Sequence, residues 1–155
     1  LGSFGDLYGR DVRKAAEKLL ARHDALIVEG AGGVMVPLND SATMLDLMAA
    51  LGLRVLVVAI NGLGTINHTL LTLAALRQAK LDVSGVVLNQ PDPPARGDEF
   101  IRLDNPETIA RFGGVAVLGD IPYAGNLAAG NAAGWARVEA GLTGMATILK
   151  RLKPQ

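Results

Sequence analysis

Two hydrophobic periodicities alternate along the chain. From Arg10 to Asp24 the apolar residues Val12, Ala15, Ala16, Leu19 and Leu20 recur three and four positions apart, the spacing of one helical face. Arg13, Lys14, Glu17, Lys18 and Arg22 fill the other positions and read as a solvated surface. Ala25-Leu26-Ile27-Val28 is an unbroken apolar run, too short for a helix and stopped by Glu29-Gly30, so it predicts a strand buried on both faces. The pattern then repeats. A helix is predicted from about Thr43 to Leu51, a strand from Val55 to Ile60, a helix from Ile66 to about Lys80 and a strand from Val83 to Leu88. A shorter helix follows at about Pro106 to Phe112, then a strand at Val115 to Leu118. The last predicted helix runs from Trp135 to about Leu152, with Trp135, Val138, Leu142, Met145 and Leu149 on one stripe. Gln90 to Asp98 holds three prolines and reads as a loop. Strands alternating with helices predict an α/β fold over residues 1–155, a single domain with a mainly parallel sheet and helices on both faces.

Composition narrows the function classes. The 155 residues include 15 basic and 15 acidic side chains, and the first 77 residues contain seven of each. No basic excess is available to neutralise nucleic-acid phosphates or an anionic membrane. The longest apolar run, Val55 to Ile60, is far too short to span a bilayer. Without cysteine, and with two histidines, the chain offers neither disulfides nor a thiolate or histidine-rich metal site. A soluble, cytoplasmic enzyme is the expectation. The 19 glycines direct attention to turns and to close approach of backbone to a ligand.

In parallel sheets ligands bind beyond the carboxyl ends of the strands, and the glycines collect there. After the first predicted strand comes Glu29-Gly30-Ala31-Gly32-Gly33, where bare backbone amides can approach an anion and Glu29 places a carboxylate at the strand tip. One carboxylate together with nucleotide phosphates is a common way to hold Mg²⁺; a tight turn with a bonded carboxylate is the other reading of the same residues. The second loop, Asn61-Gly62-Leu63-Gly64-Thr65-Ile66-Asn67, opens a helix whose first-turn amides form an anion site, or are simply capped by Thr65. His68 beside it reads as a structural hydrogen-bonding group. In the third loop Asn89 offers an acceptor and paired donors that match the edge of an adenine ring. In the fourth, Gly119-Asp120-Ile121-Pro122-Tyr123, a proline and a tyrosine could shelve a base. Ordinary turn chemistry would account for either.

The combination is more specific than its parts. Val28-Glu29-Gly30-Ala31-Gly32-Gly33-Val34-Met35-Val36-Pro37-Leu38, Gly62-Leu63-Gly64-Thr65-Ile66-Asn67-His68-Thr69-Leu70-Leu71-Thr72, Val86-Val87-Leu88-Asn89 and Gly119-Asp120-Ile121-Pro122-Tyr123, in this order and spacing, closely resemble the dethiobiotin synthetases over about Ala25 to Tyr123. The resemblance implies a three-layer P-loop NTPase-like fold and a homodimeric ligase of biotin synthesis. Such an enzyme uses ATP, Mg²⁺ and carbon dioxide to close the ureido ring of dethiobiotin on diaminopelargonic acid. It implies Glu29 as a magnesium ligand, with Glu29, Gly30, Ala31 and Gly32 along the ATP phosphates. Asn89 and Gln90 would hold the adenine, with Pro122, Tyr123 and Ala124 alongside. Gly64, Thr65, Ile66 and Asn67 would receive the substrate carboxylate across the dimer interface. In the implied mechanism a substrate amine takes up carbon dioxide, the carbamate oxygen attacks the γ-phosphate, and the second amine displaces phosphate. Such chemistry rests on positioning and charge neutralisation more than on a protein nucleophile.

The chain departs from that pattern in one respect. A P-loop requires Gly-x-x-x-x-Gly-Lys-Ser/Thr, and none of the five lysines, Lys14, Lys18, Lys80, Lys150 and Lys153, follows a glycine. No catalytic residue is therefore assigned within these 155 residues. Together with a first residue that is Leu1 and not Met, the missing motif suggests the C-terminal larger part of a synthetase domain, inactive alone. Gly125 to Gly134 also offers only Asn126 and Asn131 where the family usually places an acidic ribose contact. Other readings are a cobyric acid synthetase-like ligase, a partitioning-type ATPase, for which neither a membrane-targeting tail nor a basic surface is visible, and a non-enzymatic P-loop-lacking remnant or binding module.

Overall fold

A computed structural model describes residues 4–93, 97–125, 127 and 131–142. Among the described residues eight elements follow one another: α1 (Phe4–Leu20), α2 (Met44–Leu51), β1 (Val55–Ile60), α3 (Thr65–Gln78), β2 (Val83–Asn89), α4 (Glu99–Gly113), β3 (Val117–Ile121) and α5 (Ala132–Gly141). The remainder of the last predicted helix, with Met145 and Leu149, lies outside the described residues. The chain packs as two compact units, Leu1–Leu53 with Ala75–Leu81, and Arg54–Ala74 with Asp82–Gln155.

In the first unit α1 packs on α2, and the Arg13 guanidinium donates to the Ala50 carbonyl near the end of α2. A reciprocal cap starts α2: the Thr43 hydroxyl accepts from the Asp46 N–H at 3.4 Å, and the Asp46 carboxylate accepts from the Thr43 N–H at 2.7 Å. These bonds, the one from the Thr43 backbone first, hold the Asp46 carboxyl below its ordinary value. Between the helices the strand expected at Ala25–Val28 does not form. Its backbone finds no ladder among the described residues, and Ile27 is 88% exposed. An apolar run becomes a strand only where its N–H and C=O groups find partners.

The second unit is built on a three-stranded parallel sheet in the order β1-β2-β3. Leu88 pairs with Asp120 and Asn89 with Ile121. Val86 and Leu88 of the central strand are fully buried, as are Leu73 of α3 and Ile109 of α4. Val87 and Leu118 pack with Leu56, Ile121 and Leu142, the residue that ends α5. Asp120, neighbour of Ile121 in β3, instead meets Gln90, whose amide is bonded to Arg102 of α4. Because successive strand side chains point to opposite faces, α4 and the end of α5 lie on opposite sides of the sheet. The α/β architecture expected from the alternation, helices flanking a parallel sheet, is present.

α1 runs from Phe4 to Leu20 where the pattern gave Arg10 to Asp24, and α5 starts at Ala132, three residues before Trp135. Two other boundaries differ for physical reasons. β3 starts two residues later than predicted and continues through Ile121, because Asp120, polar at its end, is accommodated in the ladder opposite Leu88. α4 starts at Glu99, seven residues before Pro106, which the pattern placed at the helix start. A proline within a helix removes the N–H that would bond the carbonyl four residues back, here Arg102. That carbonyl instead accepts from the Asn61 side-chain amide at 3.3 Å. A partner from the tip of β1 thus compensates the break and lets the helix run through Pro106.

Candidate functional site

The glycine-rich loop of the first unit is held by its backbone. Gly32 adopts φ of +79°, a left-handed conformation, and a Cβ there would lie 2.9 Å from Val36 Cγ2. The Val36 N–H bonds the Gly33 carbonyl at 3.0 Å and closes the turn. The chain then runs antiparallel to the segment before α2, with Met44 N–H on the Val36 carbonyl at 2.9 Å and Leu45 N–H on the Val34 carbonyl at 2.8 Å. Asn39 reverses the direction, its Oδ1 accepting from the Ser41 and Ala42 N–H groups at 2.9 and 3.0 Å. Gly30 sits against buried Met44, 3.1 Å from a built Cβ to Sδ, whereas a Cβ on Gly33 would meet nothing within 4 Å. Glu29 and Ala31 are exposed with the glycines. This arrangement presents one solvent-facing carboxylate beside uncovered backbone, which suits a cation that takes the rest of its oxygen shell from phosphate and water. No group of three or more histidine, aspartate or glutamate side chains able to hold a metal by themselves occurs among the described residues.

In the second unit, Gly62 and Gly64 lead from β1 into α3. Gly64 has φ of +87°, so this turn too requires glycine for conformation, not for space, since the nearest atom to a built Cβ is His68 Cε1 at 3.8 Å. Thr65 is buried, its N–H on the Gly62 carbonyl at 3.2 Å and its hydroxyl 3.4 Å from that of Thr69. Ile66 is half-buried, and Asn67 and His68 are exposed in the first turn. Their end of the helix carries N–H groups without a carbonyl four residues back, the geometry of an anion site.

At the carboxyl edge of the sheet the ladder continues past the strand ends: Asn61 N–H bonds the Asn89 carbonyl at 2.8 Å, and Gln90 N–H bonds the Ile121 carbonyl at 2.9 Å. Side chains then tie the three strand tips together. Asp120 Oδ2 accepts from Asn61 Nδ2 and from Gln90 Nε2, each at 3.0 Å. Arg102 donates to Gln90 Oε1 at 2.8 Å, and Asn105 Nδ2 donates to Asn61 Oδ1 at 2.8 Å and to the Gly62 carbonyl at 3.3 Å. Asn61 and Asn105 are buried to 2% exposure, so their amides have no water to fall back on and must be paired in the fold.

This network divides the expected adenine-holding pair. Asn89 projects from the opposite face, half-buried, and its side-chain amide makes no hydrogen bond among the described residues. Gln90 has both ends of its amide engaged. Pro122 and Ala124 are half-buried after β3, and Tyr123 is 38% exposed. Asn61, Arg102, Asn105 and Asp120 carry no role in the sequence reading, although Asn61 and Asp120 stand in the loops it singles out. Arg102 and Asn105 carry no local signal, because the pattern places the helix start at Pro106 and their partners Gln90 and Asn61 stand far along the chain.

A family model described as an AAA domain matches residues 7–131. The chain is 50% identical over 105 residues to the ATP-dependent dethiobiotin synthetase of Anaeromyxobacter dehalogenans strain 2CP-C, covering 64% of this chain and 47% of that protein. It is 51% identical over 96 residues to that of Paramagnetospirillum magneticum strain AMB-1, covering 62% of this chain and 42% of the relative. Identity to that of Thermodesulfovibrio yellowstonii is 41% over 117 residues, 71% of this chain and 48% of the relative. The chain thus spans about half the length of the curated relatives it matches. With the match extending from α1 to the start of α5 across the whole parallel sheet, the chain belongs to the AAA-domain family.

Proposed function

We propose that this chain is the nucleotide- and substrate-binding part of an ATP-dependent dethiobiotin synthetase, which carboxylates diaminopelargonic acid with carbon dioxide and closes the ureido ring. The observation that carries the reading is the identity of about half the aligned residues to proteins named for that activity, with the glycine turns and polar strand tips inside the resembling stretch. Those names favour it over a cobyric acid synthetase-like ligase. Glu29 would contribute one oxygen to Mg²⁺, whose role is to neutralise charge on the ATP phosphates. The bare backbone at Gly30, Ala31 and Gly32 would follow those phosphates, Asn89 and Gln90 would bind the adenine, and Pro122, Tyr123 and Ala124 would border it. Gly64, Thr65, Ile66 and Asn67 would orient the substrate carboxylate, in a homodimer whose interface completes the site. No described helix is long and apolar enough to cross a membrane, and a cytoplasmic location is part of the proposal.

The test is dethiobiotin formation from diaminopelargonic acid, bicarbonate and ATP, measured on the chain alone and on the chain fused behind the P-loop segment of the Anaeromyxobacter relative. The fusion should turn over and the chain alone should not. Glu29→Gln in the fusion should lower turnover about a hundredfold or more at ordinary magnesium, with an unchanged unfolding midpoint because Glu29 is exposed. A fusion that makes no dethiobiotin refutes the activity. Full turnover by the glutamine variant refutes the metal ligand.

A further inference from the structure

Asn61-Gly62 is the one Asn-Gly pair in the 155 residues. Such a pair carries a reactivity of its own, which the proposed ligase activity does not use. Glycine has no Cβ to hinder approach to the backbone nitrogen that follows the asparagine. Once deprotonated, that nitrogen can attack the asparagine Cγ, forming a C–N bond while the Cγ–Nδ2 bond breaks and ammonia leaves. Water then opens the cyclic succinimide at either carbonyl, giving aspartate or isoaspartate. The sum is amide plus water to acid plus ammonia, with no oxidant or cofactor. In this fold the groups that must move are held. Asn61 is 2% exposed. Its Nδ2 donates to Asp120 Oδ2 at 3.0 Å and to the Arg102 carbonyl at 3.3 Å, and its Oδ1 accepts from Asn105 Nδ2 at 2.8 Å. The Asn61 N–H is bonded to the Asn89 carbonyl, and the attacking nitrogen of Gly62 carries an N–H bonded to the Ile60 carbonyl at 3.1 Å. Ring closure requires the Asn61 side chain to turn over its own backbone, which gives up the bonds at both ends of its amide.

We propose that Asn61-Gly62 is a spontaneous deamidation site gated by the hydrogen-bond network around it, and that the reaction is a one-way step for that network. Closed, the network protects the amide; open, it leaves the pair free to react, so that modification follows the population of the open form. The product does not fit where the amide stood. A carboxylate has no hydrogen to give, and it would set its oxygens against Asp120 Oδ2 and the Arg102 carbonyl, both acceptors, in a site that excludes water. Isoaspartate also adds a methylene to the backbone between the tip of β1 and the turn at Gly62. Pro106 belongs to the gate, because the carbonyl that it leaves without a helical partner is one of the acceptors on Asn61 Nδ2.

The experiment incubates the full chain in mildly alkaline buffer, folded and in urea, and follows Asn61 by peptide mass spectrometry, which reads the mass gain from amide to acid and separates isoaspartate. The folded chain should react at least about a hundredfold more slowly than the chain in urea. Asn105→Ala removes the donor to Asn61 Oδ1 and should accelerate the folded-state reaction about tenfold. Pro106→Ala offers the Arg102 carbonyl an N–H from within α4 and should accelerate it about threefold while the urea midpoint holds or rises. Loosening of the whole fold would not give that split, and this variant carries the test if Asn105→Ala does not fold. The deamidated chain, separated by its added negative charge, should unfold at a lower urea concentration than the unreacted chain. Equal rates in the folded chain and in urea, or a Pro106→Ala chain no faster than the native one, would overturn the gate. An unchanged midpoint in the deamidated chain would show that the acid rejoins the network and would overturn the one-way step.

Discussion

The glycine turn at residues 29–36 and the polar edge of the sheet are the two regions in which the sequence concentrates candidate ligand contacts, yet they are held in opposite ways. The turn is defined by backbone: Gly32 at φ of +79°, the Val36 N–H on the Gly33 carbonyl, and the antiparallel return toward Thr43. Its one charged group, Glu29, is exposed. At the sheet edge, by contrast, Asn61, Gln90, Arg102, Asn105 and Asp120 are specified by what each donates or accepts. A turn built from backbone leaves its side chains free for a ligand, whereas a network built from side chains spends most of theirs on one another. What the network gains is a fixed arrangement of the donors and acceptors left over.

The largest effect should follow from cutting the network at Asn61. Asn61→Ala removes the bond to Asp120 and leaves the Asn105 amide and the Arg102 carbonyl without their partner. Buried polar groups left unpaired should cost about 3 kcal/mol in urea unfolding. Pro106→Ala returns an N–H to the Arg102 carbonyl from within α4, so the double variant should lose less than the sum of the two single changes. Simple additivity would show that Asn61 does not substitute for the bond that Pro106 removes.

That network also marks where sequence reading runs out. The strands at Val55–Ile60 and Val83–Asn89 were legible within one residue, the first as an unbroken apolar run and the second from Val83 and Val86-Val87-Leu88 around Ser84 and Gly85. The same rule misread Ala25–Val28, since an apolar run records a tendency to be buried but not the presence of a strand to pair with. Glycine positions in the two turns were legible because a positive φ at Gly32 and Gly64 demands that residue locally. Arg102 and Asn105 were not, because their partners stand 12 and 44 residues away and nothing local announces the meeting. Pro106 misled for a related reason: its cost is offset by a side chain from another element, and the sequence around it shows only the cost.

A smaller effect separates two adjacent glycines in the turn. Gly32→Ala forces a Cβ into a left-handed conformation 2.9 Å from Val36 Cγ2 and should cost about 1 to 2 kcal/mol. Gly33→Ala meets no atom within 4 Å and has no such backbone demand. It should stay within about 0.5 kcal/mol of the native chain in thermal unfolding. Equal losses at the two positions would mean that the turn is not held by the conformation of Gly32, and that the contrast between backbone and side-chain control is drawn in the wrong place.

The smallest effect tests a charge at the start of α2 in the first unit. The Asp46 carboxyl lies below its ordinary value of 3.8, first because it accepts from the Thr43 backbone N–H. A carboxyl depressed in the folded state contributes stability that is fully present above the unfolded value and is lost as acid protonates it. The cap on α2 should therefore stabilise at neutral pH and fade below 3.8, as pH falls through the folded-state value. An N-terminal cap is worth about 1 kcal/mol, and exposure to water leaves the charge only part of that. Unfolding of the native chain and of Asp46→Ala, compared between about pH 6 and about pH 2, should show a difference that shrinks on acidification. A difference constant across that range would mean that the carboxylate charge contributes nothing to the cap, leaving backbone geometry alone to hold the segment from the glycine turn into α2.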